Sequence, residues 1–166
     1  MKLDIFNEVQ EPRPWADDHE HLRITQAIEQ AELADRSGYG CWWQVEHDGA
    51  EESSLFSAPE MLLAAISQRT SGIRRGRARA VPVQPPHPRG RTSGVARSPE
   101  RRPRRAGLTR STTPEWRLFG TDPADVRPQT AEAFTMIPRM WTSERFGYSG
   151  SAYQVDEVPI VPKPLY

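Results

Sequence analysis

Cysteine is nearly absent from the chain: Cys41 stands alone, which excludes an intrachain disulfide and leaves no cysteine argument for secretion. No apolar run approaches the roughly 18 residues of a membrane span. No basic stretch followed by an apolar one opens the sequence, so the expectation is a soluble, cytoplasmic protein with no membrane partner. Zinc-ligand spacings, a phosphate-binding glycine loop and a Ser-His-Asp set are also missing. His19 and His21, two apart at a helix start, do not face each other as a metal pair would. The sharpest absence is local. Between Arg74 and Arg105 there is no Leu, Ile, Met, Phe, Trp or Tyr, while there are six prolines.

That segment also distorts the charge. It carries 11 arginines and one acid, Glu100, out of totals of 22 basic and 22 acidic side chains. The remainder of the chain is left with 11 basic against 21 acidic residues, a net charge of −10. Such a block cannot bury enough apolar surface to offset its ordering entropy, so disorder is expected over about residues 74–106.

On either side the sequence is globular in character. Leu3, Ile5 and Phe6 predict a first strand. Asp17 or Asp18 offers a cap for a helix with Ile24, Ile28, Ala31 and Ala34 on its buried face, stopped by Gly38. Cys41-Trp42-Trp43-Gln44-Val45 reads as a second strand, in which Cys41 is a small buried hydrophobe and the tryptophans pack. Ser57-Ala58-Pro59-Glu60 has the form of a capping box for a second helix buried through Leu62, Ala65 and Ile66. Strand, helix, strand, helix implies βαβ units and a parallel sheet. Farther on, Asp122 or Asp125 caps a helix with Ala133, Phe134, Ile137 and Trp141 on one face, and Pro138 is expected to kink or end it. Phe146-Gly147-Tyr148 and Ala152-Tyr153-Gln154-Val155 flank Ser149-Gly150 as a hairpin.

Several stretches, in order and at similar spacing, resemble one family. They are Lys2-Leu3-Asp4-Ile5-Phe6-Asn7-Glu8, Gln30-Ala31-Glu32-Leu33-Ala34-Asp35, Val45-Glu46-His47, Ser57-Ala58-Pro59-Glu60 and Gln68-Arg69-Thr70. Arg110-Ser111-Thr112-Thr113-Pro114-Glu115-Trp116, Ile137-Pro138-Arg139-Met140-Trp141 and Val161-Pro162-Lys163-Pro164-Leu165 complete the set. Together they resemble the bacterial luciferase-like flavin-dependent monooxygenases. The resemblance implies an α/β fold: an incomplete (β/α)8 TIM barrel of about the first four βα units, with a disordered Arg/Pro-rich insert in place of the third.

It also implies a reaction. Reduced FMN, supplied by a flavin reductase, reacts with dioxygen, and the resulting C4a-peroxyflavin attacks a small organic substrate. The intact family implies a dimer. His47 is the catalytic candidate, because a neutral imidazole at a strand end serves as a general base. It matches the first His of the family's E-H-H-F, whose next two residues are here Asp48 and Gly49. Arg110 matches a flavin-phosphate ligand, which its planar fork suits. Glu46 is the second candidate for contact with the cofactor. No metal site is expected. Two other classes compete: a non-catalytic remnant of the family, and a nucleic-acid-binding protein using Arg74–Arg105 as a basic arm. The second is weakened by a block with neither aromatics nor lysine.

The Arg-rich block has an explanation in the genetic code. Back-translated with one choice of synonymous codons and read one nucleotide later, Gln84–Gly107 spells N-H-P-I-R-V-A-E-R-V-A-W-L-E-V-L-S-G-G-R-V-E-L-G. The family's motifs for this stretch emerge in order, as two compensating frameshifts near Arg74 and Leu108 would produce. The gene decides this: its codons for residues 84–107 are expected to spell that sequence in the shifted frame, and codons incompatible with it would rule the frameshifts out.

Overall fold

The structure, a computed structural model, describes residues 2–49, 53–80 and 105–161. Within them the order is β1 (Ile5–Asn7), α1 (His19–Arg36), β2 (Cys41–Gln44), α2 (Pro59–Arg69), β3 (Arg74–Ala80) and β4 (Arg105–Thr109). There follow α3 (Thr113–Leu118), α4 (Pro123–Thr142), β5 (Arg145–Ser149) and β6 (Gln154–Pro159). The first four strands make one parallel sheet in the order β1-β2-β3-β4, and β5 and β6 make a separate antiparallel hairpin. This is the expected α/β architecture, an open fragment of a βα barrel; no closed barrel forms among the described residues.

The expected break at the third strand needs correction. Residues 74–80 are β3, which pairs Trp42 with Arg75 and Gln44 with Arg77 on one side, and Gly76 with Arg105 and Ala78 with Gly107 on the other. Disorder beginning at Arg74, and the loss of the third strand, are therefore overturned at both ends of the block. The rest of that block, residues 81–104, lies outside the described residues. An arginine-rich strand is tolerated here because one face is nearly bare of side chains. Trp43, partnered with Gly76 across the sheet, lays its ring over that glycine, where a Cβ would come within 2.3 Å of the ring carbon Cε3. The Trp43 indole donates to the Asp4 carboxylate at 3.2 Å, which fixes the ring in place.

The opposite face of the sheet carries the main core. Trp42, Phe56 and Ile73 pack with Leu62, Leu63 and Ile66 of α2 and with Ala27, Ala31 and Ala34 of α1. The alanines, at i, i+4 and i+7, let α1 approach closely, while the large side chains bury roughly 1.5–3 kcal/mol of apolar surface apiece. Asp35, near the end of α1, accepts from the backbone N–H groups of Ser71, Gly72 and Ile73, tying that helix to the entrance of β3. A second, smaller core joins α4 to the hairpin through Met136, Met140, Phe146 and Ile160. Glu132 reinforces it by accepting from the backbone of Ser151, Ala152 and Tyr153 in the hairpin turn.

Three local expectations shift. The second helix starts at Pro59 with Ala58 as N-cap and no side-chain cap, so Ser57 is one residue too early to form the box. On α4 the buried face is Val126, Thr130, Ala133, Met136 and Met140, while Phe134 is 57% exposed; the core turns the helix by about one residue from its most apolar stripe. Pro138 does not end that helix, which continues to Thr142 with Met136 and Met140 held in the core on either side. Asp122 caps it, accepting from Ala124.

Replacing Gly76 by Ala drives a methyl into the Trp43 ring. The expected outcome is a loss of about 1–3 kcal/mol in denaturant unfolding with a changed tryptophan emission; unaltered stability and emission would show that Trp43 does not lie on Gly76.

Candidate active site at the carboxyl ends of the strands

In a parallel sheet every strand delivers its carboxyl end to one side, and the groups there converge. His47 lies just past β2 and Arg110 just past β4. Val45 and His47 follow Trp43 at the two-residue spacing of one strand face, and Glu46 follows Trp42 and Gln44 on the other.

Glu46 is accordingly turned toward the helices. It is 4% exposed, and its carboxylate accepts from Arg77 Nη2 at 2.7 Å and Nε at 3.2 Å. Arg77 Nη1 also lies 3.2 Å from Glu60 at the start of α2, an ion pair without hydrogen-bond geometry. A buried bidentate pair of this kind locks β2 to β3 because losing one partner strands the other charge.

His47 is held differently. Its side chain is 17% exposed, and Nδ1 lies 3.3 Å from Oε1 of Glu115. Glu115 itself is fully buried, in the first turn of α3. It closes a capping box with Thr112, whose N–H and hydroxyl donate to Oε2 at 3.0 and 2.9 Å. The Ser111 hydroxyl donates to the same oxygen at 2.5 Å, and the Asp48 N–H donates to Oε1 at 3.0 Å. Ser111 reaches it from a left-handed backbone, φ 65°, a strain of about 1–3 kcal/mol for a residue with a side chain. Burial alone would raise the Glu115 carboxyl. The hydrogen bonds from Ser111, Asp48 and Thr112, with the nearby His47, outweigh it and hold this group below the ordinary carboxylate range.

The next residue along α3 anchors the other strand end. Trp116 donates its indole N–H to the Arg110 carbonyl at 2.7 Å. Through Glu115 and Trp116, one short helix thus joins the ends of β2 and β4. The Arg110 side chain is exposed and free to meet an anion from solvent. Asp48, where the family's motif has its second His, has its carboxyl pushed up, first by burial and then by the charge of Glu115.

Glu115 escaped the sequence reading as a functional group. Its signal was the T-x-x-E spacing of Thr112 to Glu115 with Pro114 inside the turn, which marks a helix start and says nothing of a histidine 68 residues away. Cys41 is fully buried, as expected. His19 stacks on Trp15 and places Nδ1 on the Ala16 carbonyl. No group of His, Cys, Asp and Glu suited to a metal occurs among the described residues. No described helix is long and apolar enough to cross a membrane.

Comparison with known proteins agrees with this fold. No family model matches the chain. It is 31% identical over 126 residues to a 4-hydroxyprotoasukamycin monooxygenase of Streptomyces nodosus subsp. asukaensis, covering 74% of this chain and 33% of that protein. Identity is 24% over 163 residues to an F420-dependent hydroxymycolic acid dehydrogenase of Mycobacterium tuberculosis, covering 89% and 44%. Among solved structures, the monooxygenase RslO1 from Streptomyces bottropensis superposes with a TM-score of 0.80 at 22% identity, over 99% of this chain and 50% of that one. The oxygenating constituent of 3,6-diketocamphane monooxygenase from Pseudomonas putida, solved with FMN, gives 0.71 at 20% identity, over 95% and 43%. The chain therefore spans between a third and a half of the length of these proteins.

Asp48→Asn removes the one carboxyl here that the fold disfavours in its charged form. A raised folded-state pKa means that stability is lost as pH climbs from 3.8 through the raised value, and that below 3.8 both states are protonated and no cost remains. The variant is expected to melt higher than the parent at neutral pH, with the gain vanishing near pH 3; equal melting temperatures at pH 7 would contradict this.

Proposed function

We propose, from the premise that the relatives and the fold of this chain are those of the luciferase-like flavin-dependent oxidoreductases, that it contributes His47 and Arg110 to a site for reduced FMN, where a small organic substrate is oxidised with dioxygen. The carrying observation is the pairing of His47 with buried Glu115 at the carboxyl end of a parallel sheet whose fourth strand ends in an exposed arginine.

The chain's residues fit one end of such a cofactor. Arg110 presents a planar, permanently charged fork for a phosphate, and Trp116 fixes the backbone from which it reaches. The flavin would supply the electron transfer and oxygen activation; the protein's part is to bind, orient and shield it. His47 takes up or returns a proton at its outward nitrogen. Glu46 acts at one remove, by holding Arg77 and with it the strand end that carries His47. A flavin reductase supplying the reduced cofactor, and a dimer, complete the proposal.

The monooxygenase relative favours FMN and oxygen, whereas the F420-dependent relative makes a deazaflavin the competing cofactor. One observation favours the non-catalytic reading: Asp48 stands where the family has a second histidine. The nucleic-acid reading loses ground over residues 74–80, because Arg75 is buried and Arg77 is paired with Glu46.

Titration with FMN and with F420, followed by fluorescence, tests the assignment. FMN is expected to bind, and Arg110→Ala to raise its Kd by about tenfold or more, the value of a charge-assisted phosphate contact. His47→Ala should leave that Kd nearly unchanged and abolish oxygen-dependent turnover. Binding of F420 alone would reassign the cofactor, and binding of neither would leave the non-catalytic reading.

A further inference from the structure

The assignment of His47 can be taken one atom further, an inference that rests on the proposed site and is measured independently of it. We infer that Glu115 is the positioning residue of this site: its buried carboxylate fixes His47 as the Nδ1–H tautomer, so that Nε2, with its lone pair, is the nitrogen offered to substrate.

The hydrogen-bond inventory carries the inference. Oε1 of Glu115 accepts the Asp48 N–H at 3.0 Å and faces His47 Nδ1 at 3.3 Å. Oε2 accepts the Thr112 N–H at 3.0 Å, the Thr112 hydroxyl at 2.9 Å and the Ser111 hydroxyl at 2.5 Å. Backbone N–H groups can only donate, and one of them is aimed at each oxygen. Oε2 is taken by three donors and Oε1 by the Asp48 N–H, and these hydrogen bonds hold the Glu115 carboxyl below the ordinary carboxylate range, so the group facing His47 is a carboxylate that can only accept. The nitrogen facing it must then be the protonated one. The Ser111 hydroxyl donates to Oε2, and so does the Thr112 hydroxyl, whose oxygen accepts the Glu115 backbone N–H in the capping box.

The His47 backbone is clamped as well. Its N–H donates to the Phe56 carbonyl at 3.0 Å, so the ring swings about its side-chain torsions alone, and Glu115 sets where it stops. This is the pattern by which a buried carboxylate orients a general base without itself exchanging a proton.

Nitrogen-15 NMR of the imidazole rings reads the tautomer directly in the full chain without cofactor. The four histidines, His19, His21, His47 and His87, are assigned by single replacement with Asn. At a pH where the rings are neutral, His47 is expected to show a protonated Nδ1 and an unprotonated Nε2, opposite to the preference of a free histidine. A dominant Nε2–H form in the parent protein would overturn the inference, and needs no variant to be seen. In Glu115→Ala, judged folded by circular dichroism, the tautomer ratio is expected to move about tenfold toward Nε2–H, the loss of one charge-assisted hydrogen bond. An unmoved ratio in that folded variant would assign the orientation to another group. A correct tautomer in a chain that binds no flavin would sink the cofactor proposal and leave this one standing.

Discussion

Everything at the site depends on β3 lying between β2 and β4. A parallel sheet satisfies its backbone N–H and C=O groups only if each inner strand has a neighbour on both sides. Without β3 the ends of β2 and β4 would have no common frame, and His47 and Arg110 would belong to separate fragments. The strand that performs this task has the least suitable composition in the chain: Arg-Arg-Gly-Arg-Ala-Arg-Ala. It is accommodated by separating its two faces. Gly76 and Ala78 turn to the side covered by Trp43, where there is no space for more. Arg77 turns to the other side, where Glu46 neutralises it. Desolvating an arginine in this way is costly unless its partner has good geometry, and the bidentate contact supplies that.

On this frame Glu115 performs three tasks with one carboxylate. It caps the helix to which it belongs, it receives the backbone at the end of β2, and it faces the imidazole. A group that satisfied only the helix start could be replaced by many residues. A group that also satisfies a distant strand end ties the orientation of a side chain to the fold as a whole, so that local loosening of α3 would be felt at His47. Trp116 repeats the device on the other side by gripping the Arg110 carbonyl. Two adjacent residues of a six-residue helix thus hold the ends of β2 and β4.

The parts of this arrangement that were legible in the sequence are those carried by local pattern. The first two strands, both flanking helices, the hairpin and the Asp122 cap all follow from apolar spacing and punctuation within some 20 residues. His47 and Arg110 are candidates proposed from motifs, and the structure places both just past strand ends. What was missed depends on contacts distant in sequence. The β3 strand was read as disordered because composition takes no account of a neighbouring tryptophan that prefers glycine beneath it, or of acids on other elements ready to pair with its arginines. The rotation of α4 was missed for the same reason: Phe134 is more apolar than Thr130, yet the hairpin that covers the helix meets Thr130's side. Glu115 was visible as a cap and invisible as a partner of His47, since capping is local and the pairing is not.

The open sheet separates what this chain can contribute from what it cannot. The proposed phosphate contact and the proposed lone pair on His47 require only local rigidity, and the contacts of Glu115 with His47 and of Trp116 with the Arg110 carbonyl supply it. Shielding a reactive flavin from water requires enclosure. Phe6, on the same face as Trp43, is 60% exposed, and β1 and β4 pair on one side only among the described residues. A sheet face carrying exposed Phe6, with edges unpaired among the described residues, is what a barrel wall presents before further strands close it. The relatives, of which the chain spans between a third and a half, have the length for those strands. In the proposed site, positioning and water exclusion are therefore divided: the first is assigned to Glu115, His47 and Arg110, and the second to whatever covers Phe6 and Trp43.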